Sequence, residues 1–131
     1  MLVRDAMTGP AVVLGPTHTL REAARRMKAR GAFSAVVTDH ESDQPGVVTD
    51  TNIISAIAAG ADVDTAHVGE HLDGSFVVVA APNWSLEQAA SKMVTTGVRR
   101  IVVCENGEIT GMLTVRDVVT HWSPADLANL M

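Results

Sequence analysis

The sequence has few aromatic residues, one cysteine and no long apolar run. Aromatic residues make up 3% of the 131 residues, and tyrosine is absent. Because single-stranded nucleic acid is held by stacking bases on aromatic side chains, this composition argues against such binding. The single cysteine, Cys104, cannot form an intrachain disulfide, which fits a reducing compartment. No apolar run approaches the roughly 18 residues of a membrane span, so we expect no membrane insertion.

Positive charge is scarce and unevenly placed. The net charge of −5 argues against general binding to nucleic acid or to anionic membranes. No Lys or Arg lies between Ala32 and Ser91, whereas Arg99, Arg100 and Arg116 cluster late in the chain and suit local anion binding. The N-terminus lacks the apolar core of a signal peptide, and we therefore predict a cytoplasmic protein.

The chain contains an internal repeat. Apolar residues make up 47% of the sequence, as in globular proteins. Val3–Ile57 and Val68–His121 align at a lag of 65 to 66 residues, with matches that keep their order. The predicted organisation is a first repeat at residues 1–60, a connecting loop at 61–66, a second repeat at 67–122, and a tail at 123–131 that begins like a short helix.

Each repeat predicts the order strand, helix, two strands, helix. The brief first strands are expected at Ala11–Leu14 and Phe76–Val79. Both first helices begin with a capping-box pattern, a hydroxyl residue followed three positions later by Glu or Gln. We predict an α+β (α/β) fold with pseudo-two-fold symmetry, in which each repeat forms a small three-stranded sheet packed with helices.

The closing segment of the second repeat, Gly111–Asp117, carries the most chemical information. Thr114 is a good N-cap, and Asp117 falls where a carboxylate can bond back to that cap. A strand-to-helix turn beside Arg116 also suits a phosphate or a ribose. The residues alone therefore allow two interpretations, a plain helix start or half of a nucleotide site.

The repeated pattern resembles a known family. It consists of Val-x-Asp-x-Met or its equivalent, a Val-rich strand, a Leu-x-x-Ala-x-x-x-Met helix, a glycine, a second Val-rich strand, and Gly-apolar-apolar-Thr-x-x-Asp. Two copies in this order resemble a tandem pair of CBS (cystathionine β-synthase) domains, also called a Bateman module, over roughly Leu2 to Trp122. The resemblance implies two clefts between the repeats that commonly bind AMP, ADP, ATP or S-adenosylmethionine.

The resemblance also assigns roles to residues of this chain. In the second repeat, Asp117 would accept hydrogen bonds from ribose hydroxyls, and Thr114 would contact ribose or phosphate. The remaining contacts implied there are phosphate binding by Arg99, Arg100 and Arg116, packing of Ile101 on the base, and backbone contacts of Ser75, Phe76 and Val77. The corresponding first-repeat residues are Thr49, Asn52, Ala35, Pro10, Ala11 and Val12.

Two departures from the family pattern set the second-repeat site apart. Asn52 stands where the family has an aspartate, which removes a charged acceptor. Phe33-Ser34 replaces Arg99-Arg100, which removes phosphate-binding charge. We therefore expect one competent site, centred on Thr114 and Asp117, and a first-repeat site that is degenerate or selects something other than a nucleotide.

The functional prediction is a non-enzymatic regulatory module, expected to stand alone, that binds an adenosyl ligand and signals to an unknown protein partner in trans. We also expect a homodimer, as family members often form, and no required cofactor or metal. The alternative is a ligand-free interaction or scaffold protein with degenerate sites. His67-Val68-Gly69-Glu70-His71 spells a zinc-protease pattern, but Gly69 interrupts the helix that this chemistry needs, and we predict no metal there.

Overall fold

The structure is a computed structural model that describes residues 1–39, 44–74 and 77–122. Its elements follow the order predicted for each repeat. The first repeat contains α1 (Val3–Ala6), β1 (Val13–Leu14), α2 (Leu20–Arg30), β2 (Ser34–Val37), β3 (Gly46–Thr49) and α3 (Asp50–Ala58). The second contains a 3₁₀ turn (Val68–Glu70), β4 (Val79–Ala80), α4 (Leu86–Thr96), β5 (Arg100–Glu105), β6 (Glu108–Thr114) and α5 (Val115–His121).

The strands form two three-stranded sheets with the same topology, β1-β2-β3 and β4-β5-β6. In each sheet the first pair is parallel and the second pair is antiparallel. The predicted α+β fold is therefore confirmed. Among the described residues, the first strands run over Val13–Leu14 and Val79–Ala80 and are shorter than predicted, although the carbonyls of Val12 and Val78 still accept hydrogen bonds from the neighbouring strands. The predicted tail, residues 123–131, lies outside the described residues.

The two long helices begin and end as their sequences predict. Thr19 Oγ1 accepts the Glu22 N–H at 3.1 Å at the start of α2, and Ser85 accepts the Gln88 N–H at 3.0 Å at the start of α4. The cap bond alone, and not the reciprocal capping box, is found at both helix starts, and at α2 the Glu22 carboxylate instead accepts from Arg26 Nε one turn later. Both helices end at a left-handed glycine, with φ of 62° at Gly31 and 77° at Gly97.

The chain forms two compact units that differ from the sequence repeats at their edges. We call Val12–Ser75 the Asn52 unit, and we call Met1–Ala11 together with Phe76–Met131 the Asp117 unit. The leading segment of each repeat thus folds with the other repeat's strands and helices. The backbone shows this exchange directly, since the Val3 N–H donates to Trp84 O at 2.9 Å and the Val68 N–H donates to His18 O at 2.9 Å.

Each unit has its own apolar core. In the Asp117 unit, Val3 from the leading segment is fully buried beside strand and helix residues such as Ile101 and Leu113. In the Asn52 unit, Val68 occupies the equivalent place beside Leu20. Burying one valine side chain contributes about 1.5–3 kcal/mol, so this apolar contact anchors each exchanged segment together with its backbone hydrogen bonds.

An ion pair joins the connecting loop to α2 within the Asn52 unit. Arg21 Nε donates to Asp64 Oδ1, and Arg21 Nη2 donates to Asp64 Oδ2 at 3.2 Å. The hydrogen bond from Arg21 holds the pKa of the Asp64 carboxyl below its ordinary value, and the same contact raises the pKa of Arg21. Both side chains are exposed, so solvent screens this pair.

Candidate functional site

The start of α5 has the hydrogen bonds predicted from its sequence. Thr114 Oγ1 accepts the Asp117 N–H at 3.2 Å, and Asp117 Oδ2 accepts the Thr114 N–H at 2.9 Å. Both residues are half-buried. Because the cap uses only one carboxylate oxygen of Asp117, the other oxygen, Oδ1, is left for a further contact.

That second oxygen faces Thr8 from the leading segment. Thr8 Oγ1 donates to Asp117 Oδ1 at 3.5 Å, and both groups are on the exposed side of the site. This distance is at the outer limit for a hydrogen bond between two oxygens, so the contact is weak. A ligand hydroxyl that approaches Oδ1 more closely would replace a poor bond with a better one.

Glycines allow the leading segment to lie against β6. The Thr8 N–H donates to Met112 O, and the Met112 N–H donates to Thr8 O, both at 3.0 Å. A Cβ on Gly111 would lie 2.7 Å from Thr8 O, and a Cβ on Gly9 would lie 2.8 Å from Thr110 O. The first residue of the closing segment Gly111–Asp117 is therefore a glycine, because a side chain at this position would push Thr8 away from Asp117.

Three arginines belong to the same neighbourhood by backbone position. The carbonyl of Arg99 accepts the Val115 N–H at 3.0 Å, which places Arg99 beside the first turn of α5. Arg100 pairs with Thr114 in the β5-β6 register. Arg116 is in the first turn itself and is exposed, as is Arg99, while Arg100 is half-buried. Together these positions concentrate positive charge around the Thr114–Asp117 cap.

The start of α3 repeats this design in the Asn52 unit. Thr49 Oγ1 accepts the Asn52 N–H at 3.1 Å, and Asn52 Oδ1 accepts the Thr49 N–H at 2.7 Å. Thr49 Oγ1 also donates to Asn52 Oδ1 at 2.8 Å, and the Thr49 residue is only 4% exposed. Asn52 thus replaces Asp117 without loss of either capping bond.

The backbone around α3 also matches that around α5. The carbonyl of Phe33 accepts the Asp50 N–H at 3.0 Å, so Phe33 occupies the position of Arg99. The Asp73 N–H donates to Val47 O at 2.7 Å, so Asp73 occupies the position of Thr8. A Cβ on Gly46 would lie 2.7 Å from the end of the Leu72 side chain, which can rotate away, whereas a Cβ on Gly111 meets the backbone of Thr8.

Two of the predicted contact residues lie in the apolar cores. Ile101 is 0% exposed and Ala35 is 1% exposed, and each lies within the apolar core of its unit. Packing of a ligand's base on either side chain stays a prediction.

The other residues predicted to contact a ligand do not all fold in the same unit as the rest of their sequence repeat. Pro10 and Ala11 belong to the Asp117 unit, not to the unit of Thr49 and Asn52 with which they were grouped. Val12 is buried in the core of the Asn52 unit, and Val77 is half-buried in the Asp117 unit. The predicted contacts of Ser75 and Phe76 lie outside the described residues.

Sequence reasoning missed Thr8 and Asp73. The leading segments were recognised as repeated, but their pairing with β6 and β3 joins residues far apart in the chain. The signal that was present is the glycine at the start of each closing motif, because a glycine inside a strand often marks close approach of another backbone. Gly111 has this role, because its Cβ position lies 2.7 Å from Thr8 O.

The other side chains with possible reactivity or metal-binding capacity are Cys104, His67 and His71. Burial raises the pKa of the Cys104 thiol, which lowers its reactivity. His67 and His71 flank the 3₁₀ turn. Within residues 1–39, 44–74 and 77–122, no cluster of three His, Cys, Asp or Glu side chains is arranged to hold a metal ion. None of the helices in this described part is long and apolar enough to cross a membrane.

The family of the chain follows from comparison with known domains. The family model of the CBS domain matches residues 3–59 and 73–123. The chain therefore belongs to the CBS domain family and contains a CBS domain pair. Such pairs are commonly regulatory and bind nucleotides, and proteins built only of these domains are typically regulatory, not catalytic.

This chain covers different shares of the length of two related proteins. Hypoxic response protein 1 of Mycobacterium tuberculosis is 30% identical over 119 residues, which cover 90% of this chain and 82% of that protein. An uncharacterized protein of Methanopyrus kandleri is 26% identical over 118 residues, which cover 88% of this chain. The chain spans 57% of the length of the Methanopyrus protein.

Two solved structures share the fold. A CBS domain protein from Pyrobaculum aerophilum complexed with AMP matches with a TM-score of 0.77 at 27% identity, covering 99% of this chain and 98% of that chain. Hypoxic Response Protein I with two coordinated zinc ions matches with a TM-score of 0.75 at 28% identity, covering 94% of this chain and 100% of that chain. These matches confirm the predicted CBS pair.

Proposed function

We propose that this chain is a ligand-sensing regulatory module that binds an adenine nucleotide or related adenosyl ligand at the Thr114–Asp117 cap. The observation that carries the proposal is the state of the Asp117 carboxylate. One oxygen is fixed by the Thr114 N–H, and the other makes only a weak contact with Thr8 at 3.5 Å. The carboxylate is thus held in place with one acceptor oxygen ready for a ribose hydroxyl.

The surrounding charges favour a nucleotide over a bare nucleoside at this position. Guanidinium groups bind phosphate through charge-assisted hydrogen bonds, and Arg99, Arg100 and Arg116 all lie near the cap along the backbone. The solved relative from Pyrobaculum aerophilum is complexed with AMP, which supports an adenosyl ligand here. AMP, ADP, ATP and S-adenosylmethionine are the candidates.

The proposed output is a shift between conformations. A ligand changes the population of two states only by the difference between its affinities for them. A ligand hydroxyl at Asp117 would displace the Thr8 hydroxyl and reposition this residue of the leading segment, while the two backbone hydrogen bonds of 3.0 Å between Thr8 and Met112 keep the segment on β6. A protein partner that favours one state of this segment would in turn change the ligand affinity by the same factor. We also propose that the module is a cytoplasmic homodimer.

The test uses Asp117→Asn, because Asn52 shows that asparagine preserves both capping bonds. Purified protein is titrated with AMP, ADP, ATP and S-adenosylmethionine by calorimetry and by thermal shift. A ligand at 100 times its dissociation constant should stabilise the folded protein by about 2.7 kcal/mol. We expect Asp117→Asn to weaken the best ligand about tenfold or more, since a charged acceptor is lost.

Asp50→Asn is the matched control, because Asp50, like Asp117, is an aspartate in the first turn of a helix, and it is exposed. Its ligand affinity should equal that of the unmodified protein. Binding that is unchanged in Asp117→Asn would contradict the proposed role of the carboxylate. Absence of binding by every adenosyl ligand would reject the sensor function as a whole.

That last result would favour the alternative, an interaction or scaffold protein with degenerate sites. Its support is exposed apolar surface on helices. On α3, Ile54 is 65% exposed and Ile57 is 52% exposed, and on α5 Val119 is 53% exposed. Sedimentation of the unmodified protein and of Ile54→Glu would then show whether this surface joins copies of the chain.

A further inference from the structure

Positive charge is concentrated on the helix α2. Half of the ten Lys and Arg residues of the chain lie on this helix, and all of these are exposed: Arg21, Arg25, Arg26, Lys28 and Arg30. The acidic residue of the helix is Glu22, so α2 has a formal charge of +4. Because the whole chain has a net charge of −5, the rest of it carries −9. One basic helix thus belongs to an otherwise acidic chain.

The equivalent helix of the second repeat shows that the fold does not need this charge. α4 has the same length of 11 residues, a hydroxyl side chain at its N-cap and a left-handed glycine at its end, as α2 does. It contains one glutamate and one lysine, so its formal charge is zero. At the positions of Arg25 and Lys28 it has Ser91 and Val94, which are exposed as well. The basic residues of α2 are therefore not a requirement of this helix in the fold.

The spacing of the cations works against the helix. Arg21 and Arg25 are four residues apart and Arg25 and Lys28 are three apart, so these side chains lie along one side of α2. Arg26 and Arg30 are also four apart. Like charges at these spacings repel each other and destabilise a helix. The helix dipole favours cations in the last turn, where Lys28 and Arg30 lie, but it gives no such benefit to Arg25.

Two of the cations form ion pairs within the chain. Arg21 pairs with Asp64 of the connecting loop, and Arg26 Nε donates to the glutamate one turn earlier at 3.1 Å. Arg25 acts on Asp64 from a longer range, and its charge contributes to the lowered pKa of that carboxyl. Within the part of the chain that the structure describes, neither Arg25 nor Lys28 forms a salt bridge. Their charges are therefore available to an acidic partner.

The dimensions of this surface fit a short acidic peptide segment. Eleven residues of α-helix span about 16 Å, a length that an extended peptide of about five residues matches. Arginine and lysine bind carboxylates through charge-assisted hydrogen bonds. A nucleic acid is longer than this helix and would meet the charge of −9 on the rest of the chain, which repels it. A short carboxylate-bearing segment can contact the basic helix alone.

The composition of the helix surface also disfavours a membrane. Helices that bind to bilayers insert large apolar side chains below the headgroups. Among the described residues, the exposed large apolar side chains all lie outside α2. The apolar residues that α2 does expose are Ala24 and Ala29, which are too small to act as anchors.

We propose that the exposed face of α2, with Arg25 and Lys28 at its middle, is a docking surface for a short segment of a partner protein that is rich in Asp and Glu. This inference names a surface and a class of partner that the proposed function leaves open. It does not require a ligand at Asp117, because α2 belongs to the Asn52 unit and the Thr114–Asp117 cap belongs to the Asp117 unit.

Fluorescence anisotropy tests the surface with a labelled peptide of alternating Asp and Glu residues, about six residues long. The test variant combines Arg25→Gln with Lys28→Gln, since glutamine has nearly the same helix propensity as arginine and lysine. We expect the peptide to bind the unmodified protein and its affinity to fall about tenfold or more in this variant. The affinity should also fall about tenfold or more when the salt concentration is raised from about 0.05 M to about 0.5 M.

The matched control combines Arg4→Gln with Lys92→Gln. It removes two exposed cations from the Asp117 unit and so changes the net charge by the same amount. Its affinity for the peptide should equal that of the unmodified protein. If the peptide does not bind, or binds the Arg25→Gln/Lys28→Gln variant as tightly as the unmodified protein, the inference is overturned.

Stability distinguishes a docking surface from a structural role of the same charges. Because removal of Arg25 and Lys28 relieves repulsion along α2, the test variant should have a melting temperature equal to that of the unmodified protein or slightly higher. A melting temperature several degrees lower would show that the two cations serve the fold, and it would count against docking.

Other probes decide between kinds of partner and between this inference and the proposed function. A short DNA duplex and vesicles containing phosphatidylserine should not compete with the peptide; binding of either one through Arg25 and Lys28 in place of the peptide would overturn the inference. AMP affinity should be the same in the test variant and the unmodified protein. Normal AMP binding without peptide binding rejects the docking surface alone, whereas peptide binding without AMP binding rejects the ligand site alone.

Discussion

Replacement of Gly111 by alanine tests the contact that builds the candidate site. In the native chain the leading segment and β6 exchange two backbone hydrogen bonds of 3.0 Å between Thr8 and Met112. A Cβ on Gly111 would lie 2.7 Å from Thr8 O and 2.9 Å from Met7 Sδ. The methionine side chain can rotate away, but the carbonyl of Thr8 is part of the backbone. The segment must therefore move outward.

The size of the effect follows from these distances. Relief of the overlap requires a shift of about 0.7 Å, which stretches both hydrogen bonds beyond their normal range. Overpacking of this kind costs about 1–3 kcal/mol, and each weakened bond about 0.5–1.5 kcal/mol. Loss of chain freedom in the unfolded state offsets about 0.4–1 kcal/mol. We expect the free energy of unfolding to fall by about 3 kcal/mol, the middle of a range of about 1–6 kcal/mol that these contributions allow.

Urea denaturation measures this change, and Gly74→Ala is its control. Gly74 is the repeat equivalent of Gly9, yet a Cβ there meets nothing within 4 Å. Gly111→Ala should lower the denaturation midpoint by about 1 M or more, whereas Gly74→Ala should leave it equal or slightly higher. Equal stability of Gly111→Ala and the unmodified protein would refute the close approach. Because Thr8 moves with the segment, ligand affinity should change in Gly111→Ala as well.

Three further predictions concern other features of the chain. The hydrogen bond from Arg21 lowers the pKa of the Asp64 carboxyl in the folded protein. The pair therefore stabilises the fold above pH 3.8, the ordinary pKa of the group, and this contribution is lost as the pH falls through the folded-state pKa. The stability difference between the unmodified protein and Asp64→Asn, measured in urea, should therefore close on acidification; a gap that persists at pH 2 would contradict it. Gly97→Ala should destabilise by about 1 kcal/mol, because φ is 77° at the end of α4, and thermal unfolding showing no loss would be inconsistent with that backbone. Cys104 should react with iodoacetamide more slowly in the folded protein than in urea, because burial raises the pKa of its thiol, and equal rates would argue against its burial.

The fold was predictable because its signals are local. The caps at Thr19 and Ser85 and the end glycines at Gly31 and Gly97 each act within one helical turn. Repetition of these signals at a lag of 65 to 66 residues made the two-sheet arrangement predictable without any knowledge of distant contacts. The strand ends were less well predicted, because pairing partners, and not local preference, decide where β1 and β4 begin.

The contacts of the candidate site were predictable from the sequence only where they join residues that are close together in the chain. The Thr114–Asp117 cap joins residues three apart, and the sequence shows it directly. The Thr8–Asp117 contact joins residues 109 apart, and no periodicity in the sequence reports it. The contact predicted for Ile101 comes from the family resemblance alone, whereas its pairing with Leu113 in the sheet accounts for its burial. Tertiary pairing therefore decides which side chains lie beside the Thr114–Asp117 cap.

The duplication itself supplies an argument about Asp117. A helix needs its cap, and a carboxylate in the first turn adds only about 0.3–1 kcal/mol through the helix dipole. Asn52 makes both capping bonds at the equivalent place, with distances of 3.1 and 2.7 Å against 3.2 and 2.9 Å at Asp117. The fold therefore does not require the negative charge at Asp117. A charge that capping does not need, placed beside arginines and with one oxygen weakly engaged, is better accounted for by a ligand than by stability.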